Sequence, residues 1–433
     1  MKVLWLCNVV LTEFCEEFGL PPNPFGGWMS GMLKMLDRVE DIDIAFAFPI
    51  IDQWRMKDGV KNGHPYFSFC NKDRDEFELR EQRRDQLLRI LLKYKPDIVH
   101  IWGTEFPWAL EMVEVCEEEG VIDRVFVHLQ GLVSVYTKHY LSGLPEDCLD
   151  VPNDCGRTIR QEQQLFRRKG ENEIRILNKI RHVGGRTDWD KACSYAINPN
   201  LRYHISREIL RNRFYEHCGE WDYNNDSHHS IFISQANYPI KGFHYFLDAL
   251  PIIVKEFPDT RVYVGGRNLL EKKPPTAYGL YIKKKLETVD TMNNIFFCGL
   301  LTEDDMIERF INSSVFVSAS SVENSSNSVM EAMMIGTPVI SSFVGGLTSF
   351  LRHNHNAMLY PESESDMLAY YILKCFSDTK TCEKLSKGGQ KTATELTSKA
   401  VGIEDLLKIY EELTGQKLNT YYSNKGFSNN EYK

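Results

Sequence analysis

Residues 315–346 read VFVSASSVENSSNSVMEAMMIGTPVISSFVGG, and the punctuation of this stretch decides the local fold. Val315 to Ser318 is a short apolar run of the kind that makes a buried strand. Ala319 to Asn327 is a Ser/Asn-rich turn, and Ser328 to Ile335 is a helix stopped by Gly336 and by Pro338 beyond it. A helix that begins at the carboxyl end of a strand lies on the edge of an open α/β sheet where ligands bind. Its free N–H groups and positive dipole end suit a phosphate. Two carboxylates, Glu323 in the turn and Glu331 in the helix, stand eight residues apart across this junction. Ser328 and Glu331 also have the S-x-x-E spacing of a capping box, which gives Glu331 a second, purely structural reading.

Working outward, the second half of the chain repeats the same unit. Strands at Ile231 to Ser234, Arg261 to Val264, Ile295 to Phe297, Val315 to Ser318 and Pro338 to Ser341 alternate with helices beginning near Lys241, Thr276, Glu303, Ser328 and Gly346. The first half alternates as well. Val3 to Cys7, Ile42 to Phe48, Ile98 to Trp102 and Val125 to Leu129 read as strands, with helices at Trp28 to Asp37, Phe77 to Lys93, Glu105 to Glu118 and Arg160 to Lys179. Such alternation marks parallel, doubly wound sheets. At 433 residues the chain exceeds a single core. The expected division is 1–220, 221–398, a last helix within 399–415 and a disordered tail over 416–433, the break falling in the polar segment Asp222 to His229.

Composition narrows the function. A net charge of −9 argues against a general nucleic-acid binder. Eleven cysteines without C-x-x-C pairs suggest neither a disulfide framework nor a zinc site, and fit a reducing, cytoplasmic setting. Met1 to Leu11 is read as a first buried strand and not as a signal peptide, and no apolar run approaches the length of a membrane span.

The segment from Glu323 to Glu331, with the G-T-P-V-I-S-S strand after it and the paired Gly345 and Gly346, closely resembles the E-x7-E segment of retaining GT-B glycosyltransferases of family 4. The likeness is strong over about Ser230 to Glu395 and looser before it. It implies an α/β GT-B fold, two Rossmann-like domains facing across a cleft, in which the last helix crosses back to the first domain. It also implies transfer of a hexose from a nucleotide-diphosphate sugar to a glycan or lipid-linked acceptor, with no metal or other cofactor. In the family, the counterpart of Glu331 holds the ribose hydroxyls and that of Glu323 lies by the donor sugar.

The resemblance carries over to further residues. IFISQANYPIKGFHYFLDALP, from Ile231, matches the family's phosphate-binding segment, with Lys241 at the lysine position, Gly242 beside it and Gln235 where the family has an arginine. A neutral amide lacks the charge and fork geometry of that arginine. Gly265 and Arg267 fall at the family's glycine turn, Asn327 and Ser328 at the helix entry, and Phe25-Gly26-Gly27-Trp28 at the glycine-rich loop of the first domain. The family's histidine near the transferred sugar corresponds to His128 or Gln130, two residues apart on a strand and so on the same side. Asp41 to Asp43 has D-x-D spacing but sits in an apolar run and is read as chance. Asp188 is the expected cap of a helix near Gly185.

Between Arg157 and Arg181 eight basic residues oppose three acidic ones. Peripheral contact with the inner face of a membrane and a solvated helix face are both open readings of this stretch. Gln235 and Gln130 feed an alternative from another class, a non-catalytic GT-B subunit that binds a sugar nucleotide or a partner.

Overall fold

The computed structural model describes residues 1–23, 26–51, 55–71, 79–223, 229–270, 275–288 and 291–418. The chain divides into two compact units, the first formed by Met1–Val135, Leu165–Arg211 and Thr397 onward, the second by Tyr136–Gln164 and Asn212–Leu396.

The first unit holds an eight-stranded sheet. Its strands are β1 (Lys2–Leu6), β2 (Asp43–Ile50), β3 (Asp58–Lys61), β4 (His64–Cys70), β5 (Ile98–Trp102), β6 (Val125–His128), β7 (His182–Gly185) and β8 (Arg202–Ile205), in the order β3-β4-β2-β1-β5-β6-β7-β8. All neighbours are parallel except β3 and β4. The inner strands are buried along their length because helices cover both faces. Alternation along β1 sends Val3 and Trp5 into one core and Leu4 and Leu6 into the other. The C-terminal helix Lys399–Thr414 joins the first of these cores through Ile403, Leu406, Leu407 and Tyr410. The Tyr410 hydroxyl accepts from Trp5 Nε1 at 2.9 Å and meets His100 Nδ1 at 2.7 Å.

β3, β4 and β8 are not among the strands expected from sequence, and of β7 only the end at Gly185 is. Asn62-Gly63 joins β3 to β4 with both residues at positive φ, the two-residue turn that suits a twisted hairpin. β8 is an edge strand with an interrupted apolar pattern.

The second unit holds a six-stranded parallel sheet made of β9 (Ser230–Ile233), β10 (Arg261–Gly265), β11 (Ile295–Gly299), β12 (Val315–Ser318), β13 (Val339–Ser342) and β14 (Met358–Tyr360), ordered β11-β10-β9-β12-β13-β14. The chain runs outward from β9 to β11, then returns to lay β12 against the other side of β9. The strand order therefore reverses between β9 and β12.

Two boundaries differ from the sequence reading. The second unit begins at Asn212 and not at residue 221, because helix Asn212–Glu216 already packs Phe214 on Phe310. Tyr136–Gln164, expected in the first domain, belongs to the second: His244 Nε2 lies 3.0 Å from the Ser142 carbonyl, and Asn153 Nδ2 donates to the Pro275 carbonyl at 2.9 Å. Residues 224–228 of the expected linker, Phe25 of the glycine loop, the start of the helix placed at Phe77 and residues 419–433 of the tail lie outside the described residues. The start of that tail is ordered, since Leu418 is buried and its N–H donates to Glu411 at 2.8 Å. No helix among the described residues is long and apolar enough to cross a membrane.

Candidate active site

The reversal of strand order between β9 and β12 places two loops side by side at the carboxyl edge of the second sheet, the position where open α/β sheets bind ligands. After β9 the chain makes a 3-10 turn, Pro239–Lys241, and enters helix Phe243–Glu256. After β12 it runs through Ala319–Ser326 into helix Asn327–Ile335. The loops touch backbone to backbone. Ser321 N donates to the Ile240 carbonyl at 2.7 Å, and a side chain at Gly242, where φ is 66°, would stand 1.8 Å from the Ala319 carbonyl. Gly242 thus serves the contact between loops. Gly345 does the same for Glu323, whose carbonyl would lie 2.1 Å from an added Cβ and accepts from Gly346 N at 2.9 Å.

This packing brings together two of the residues singled out by sequence. Lys241 Nζ donates to Glu323 Oε1 at 2.6 Å, and Ser320 Oγ donates to the same oxygen at 2.8 Å. The pair is largely enclosed, with side-chain exposures of 18% for Lys241 and 10% for Glu323. Burial by itself would lower the lysine pKa, but the Glu323 carboxylate and then Tyr238 outweigh it and hold the ammonium charged. The sequence reading gave the two residues separate duties and did not foresee the bond between them. The next residue, Asn324, donates its backbone N–H to the Tyr136 hydroxyl at 3.0 Å, a support from a distant segment with no sequence signal.

Glu331 is buried within helix Asn327–Ile335. The capping-box reading fails on geometry: the N-cap is Ser326, whose side chain makes no cap bond, and Ser328 lies inside the first turn. Glu331 is therefore not at the third helical position that such a box requires. Asn327 opens the helix. Gln235 is half-buried in the loop after β9. Gly265 ends β10 at a register shift against β11, and Arg267 two residues on is exposed.

In the first unit the strand order reverses between β1 and β5. The loops after these strands carry Asn8 and Glu105, joined at 3.2 Å from Asn8 Nδ2 to Glu105 Oε2. Neither was singled out by sequence, since each is a lone polar residue after an apolar run. Gly103, at φ 93°, permits the approach: an added Cβ would meet Glu105 Oε2 at 2.1 Å. Nearby, Glu173 accepts from Thr104 Oγ1, Val133 N, Ser134 N and Ser134 Oγ. Burial first, and the charge of Glu173 next among the raising causes, push Glu105 up to about 7.

That shift has a definite sign. Between the ordinary carboxylate value and about 7 the folded protein binds a proton that the unfolded chain releases, so stability falls as pH rises through this window and is level above it. Glu105→Gln removes the loss. The variant should gain at least about 1 kcal/mol on the parent at pH 8 and little at pH 5, read as the difference in unfolding midpoint. An equal difference at both pH values would mean that Glu105 ionises normally.

Gly26 caps helix Gly27–Leu36 at φ 81°, and an added Cβ at Gly27 would meet the Arg211 side chain at 2.8 Å. Gly27 thus lies against Arg211, while Gly26 packs on Val9 and Met29. His128 and Gln130 have different surroundings. His128 is buried beside Trp102 with ring centroids 4.7 Å apart, and Ser206 Oγ lies 3.3 Å from its Nδ1. Burial, then Arg186, keeps its imidazole neutral, well below the usual histidine range. Gln130 is half-buried and donates to Glu208 Oε1 at 2.8 Å, while Arg186 bonds Glu208 Oε2 and the Gln130 carbonyl. Asp188, expected as a cap, is the first residue of helix Asp188–Ile197; Thr187 caps it in a reciprocal box with Asp190 at the third position. Asp41 and Asp43 are exposed at the amino end of β2, away from the ligand edge.

Several bases of the Arg157 to Arg181 stretch are committed to acidic partners. Arg160 bonds Glu146 and Asp150, Arg175 bonds Glu114, and Lys179 bonds Glu117.

Residues 220–392 match the family described as glycosyl transferases group 1. The chain is 23% identical over 176 residues to mannosylfructose-phosphate synthase of Agrobacterium fabrum, covering 40% of this chain and 38% of that protein, well under two thirds of its length. It is 24% identical over 325 residues to an uncharacterized glycosyltransferase of Methanocaldococcus jannaschii, covering 72% of this chain and 75% of that one. Among solved structures, sucrose-phosphate synthase from Thermosynechococcus elongatus superposes with a TM-score of 0.70 at 14% identity, covering 96% of this chain and 100% of that one. HepE of Anabaena in complex with UDP and glucose gives a TM-score of 0.65 at 13% identity over the same shares. The fold is GT-B, built from two doubly wound parallel-sheet units.

Proposed function

We propose that this chain is a retaining glycosyltransferase of family 4, moving a hexose from a nucleotide-diphosphate sugar to a glycan or lipid-linked acceptor in the cytoplasm, in the synthesis of a surface polysaccharide or other glycan. The observation that carries the reading is the Lys241–Glu323 pair at the reversal of strand order, with Glu331 in the adjoining helix. A diphosphate offers Lys241 a stronger partner than one carboxylate, and the N–H groups of helix Asn327–Ile335 add to it. Charge that develops on the leaving diphosphate then meets groups already in place, without need of a metal. Glu331 takes the ribose hydroxyls, which suit a carboxylate able to accept two hydrogen bonds.

Glu323, released by the lysine, turns to the donor sugar. Burial of His128 favours Gln130 as the group that reaches a ligand. UDP is the first nucleotide to try, since it is the one bound by HepE. Peripheral membrane contact would rest on the exposed Arg157, Arg167, Arg168 and Arg181. Gln235, neutral where the resemblance expects an arginine, favours a second reading as a non-catalytic sugar-nucleotide-binding or partner subunit.

A thermal-shift panel of nucleotide sugars, followed by an assay of nucleotide release with and without acceptor glycans, decides between the two. Under the first reading Lys241→Ala should cut release at least about tenfold, or roughly 1.36 kcal/mol in the barrier. Release that survives this change would defeat the phosphate role of Lys241, and no release with any donor would favour the non-catalytic reading.

A further inference from the structure

We propose that His182, His204 and Glu412 form a site for one divalent transition ion of the zinc class, which fastens the C-terminal helix to the edge of the first sheet. The ligand atoms of these three residues all lie within 4.8 Å of one another. β7 and β8 pair with His182 opposite Arg202 and Gly184 opposite His204, so both imidazoles stand on the same face of the sheet. Both are buried. Glu412 comes from the last turn of helix Lys399–Thr414 and is about one-third exposed at 34%, which leaves a path for an ion.

His182 Nδ1 and His204 Nε2 are 2.9 Å apart, and Glu412 Oε1 lies 3.8 Å from the same His204 nitrogen. Two ring nitrogens so close can share one proton or one metal ion. In a tetrahedral site with metal–nitrogen bonds of about 2.0–2.1 Å, ligand atoms stand roughly 3.3 Å apart. From these positions the nitrogens would spread by about 0.4 Å and the carboxylate would close on His204 by about 0.5 Å, with a rotation of the exposed Glu412 side chain bringing it within reach of His182 as well. Two imidazoles and a carboxylate are a donor set that zinc accepts, with a fourth position for water. The negative end of the helix dipole lies on the same side and favours a cation. One competitor is present: Arg202 Nε bonds Glu412 Oε1 and would have to yield.

His182 opens β7, at the opposite end from Gly185 and the ligand edge. The ion would therefore be structural and take no part in transfer. Its effect would be to tie the helix that carries Tyr410 to the strands β7 and β8.

Titrating Co²⁺ and then Zn²⁺ into the full chain tests the site. One ion per chain is expected, with the visible Co²⁺ bands of a tetrahedral nitrogen/oxygen site and without the near-ultraviolet thiolate band that cysteine ligation would give. Replacing the anionic carboxylate by a neutral amide with Glu412→Gln should weaken binding about tenfold or more, and His204→Ala should abolish it. Arg202→Gln should tighten binding several-fold, because it removes the competitor for Oε1; a histidine pair that is only structural predicts no such gain. Arg202 and Glu412 are partly exposed, so these two variants test the site even where the buried histidine change prevents folding. A thiolate spectrum, binding that ignores both Glu412→Gln and Arg202→Gln, or no binding of either ion would overturn the proposal.

Discussion

Glu323→Gln is expected to lower sugar transfer by a factor on the order of 10² or more while a nucleoside diphosphate binds as tightly as to the parent, or more tightly. The first half follows from the role proposed for the carboxylate, which meets the reacting sugar and not the nucleotide. The second follows from the ion pair. In the parent, Lys241 must exchange Glu323 for the diphosphate, and the 2.6 Å bond between them opposes that exchange. Glutamine keeps an oxygen for Ser320 but offers Lys241 no charge, so the lysine is easier to draw away. Calorimetric titration with the diphosphate of the wild-type donor, set beside initial rates of release, separates the two quantities. A parallel fall in affinity and rate would show that Glu323 holds the nucleotide instead.

Glu331→Ala should do the reverse and weaken nucleoside diphosphate binding by about 1.5–3 kcal/mol, the scale of hydrogen bonds to a charged group. The N-cap is Ser326, so Glu331 is not the third-position partner that a capping box requires. Titration again gives the affinity, and a thermal melt of the ligand-free protein serves as control. Unchanged affinity with a lowered melting temperature would assign Glu331 to packing alone.

Much of the second unit was legible because its strands are short apolar runs closed by Gly, Pro or Ser/Asn turns. Val315–Ser318 appears with the bounds expected, and the helix after it starts one residue earlier, at Asn327. The strand-to-helix spacing located Glu323 and Glu331 at one sheet edge, and the family resemblance added Lys241 there. What spacing does not carry is the exchange of partners across loops. The Lys241–Glu323 bond depends on the return of the chain from β11 to β12, and the Asn8–Glu105 contact on the neighbouring of β1 and β5. Tyr136 reaches Asn324 from 188 residues away, and nothing local to either residue marks the contact. Asn62-Gly63 is a different case: its turn chemistry was present in the sequence, but β3 on one side of it is short, polar and half-exposed.

The segment Tyr136–Gln164 has a bearing on how the chain can be dissected. The backbone passes between the two units four times, after Val135, Gln164, Arg211 and Leu396. No single cut therefore frees either unit whole. A fragment begun at residue 220, where the family match starts, would leave behind the hydroxyl that steadies the residue after Glu323 and the loop that covers His244. It would also lack Phe214, which packs on Phe310. Swapping the second unit between relatives, or preparing it alone for ligand screening, calls for a chain in which 136–164 is carried along and rejoined ahead of Asn212.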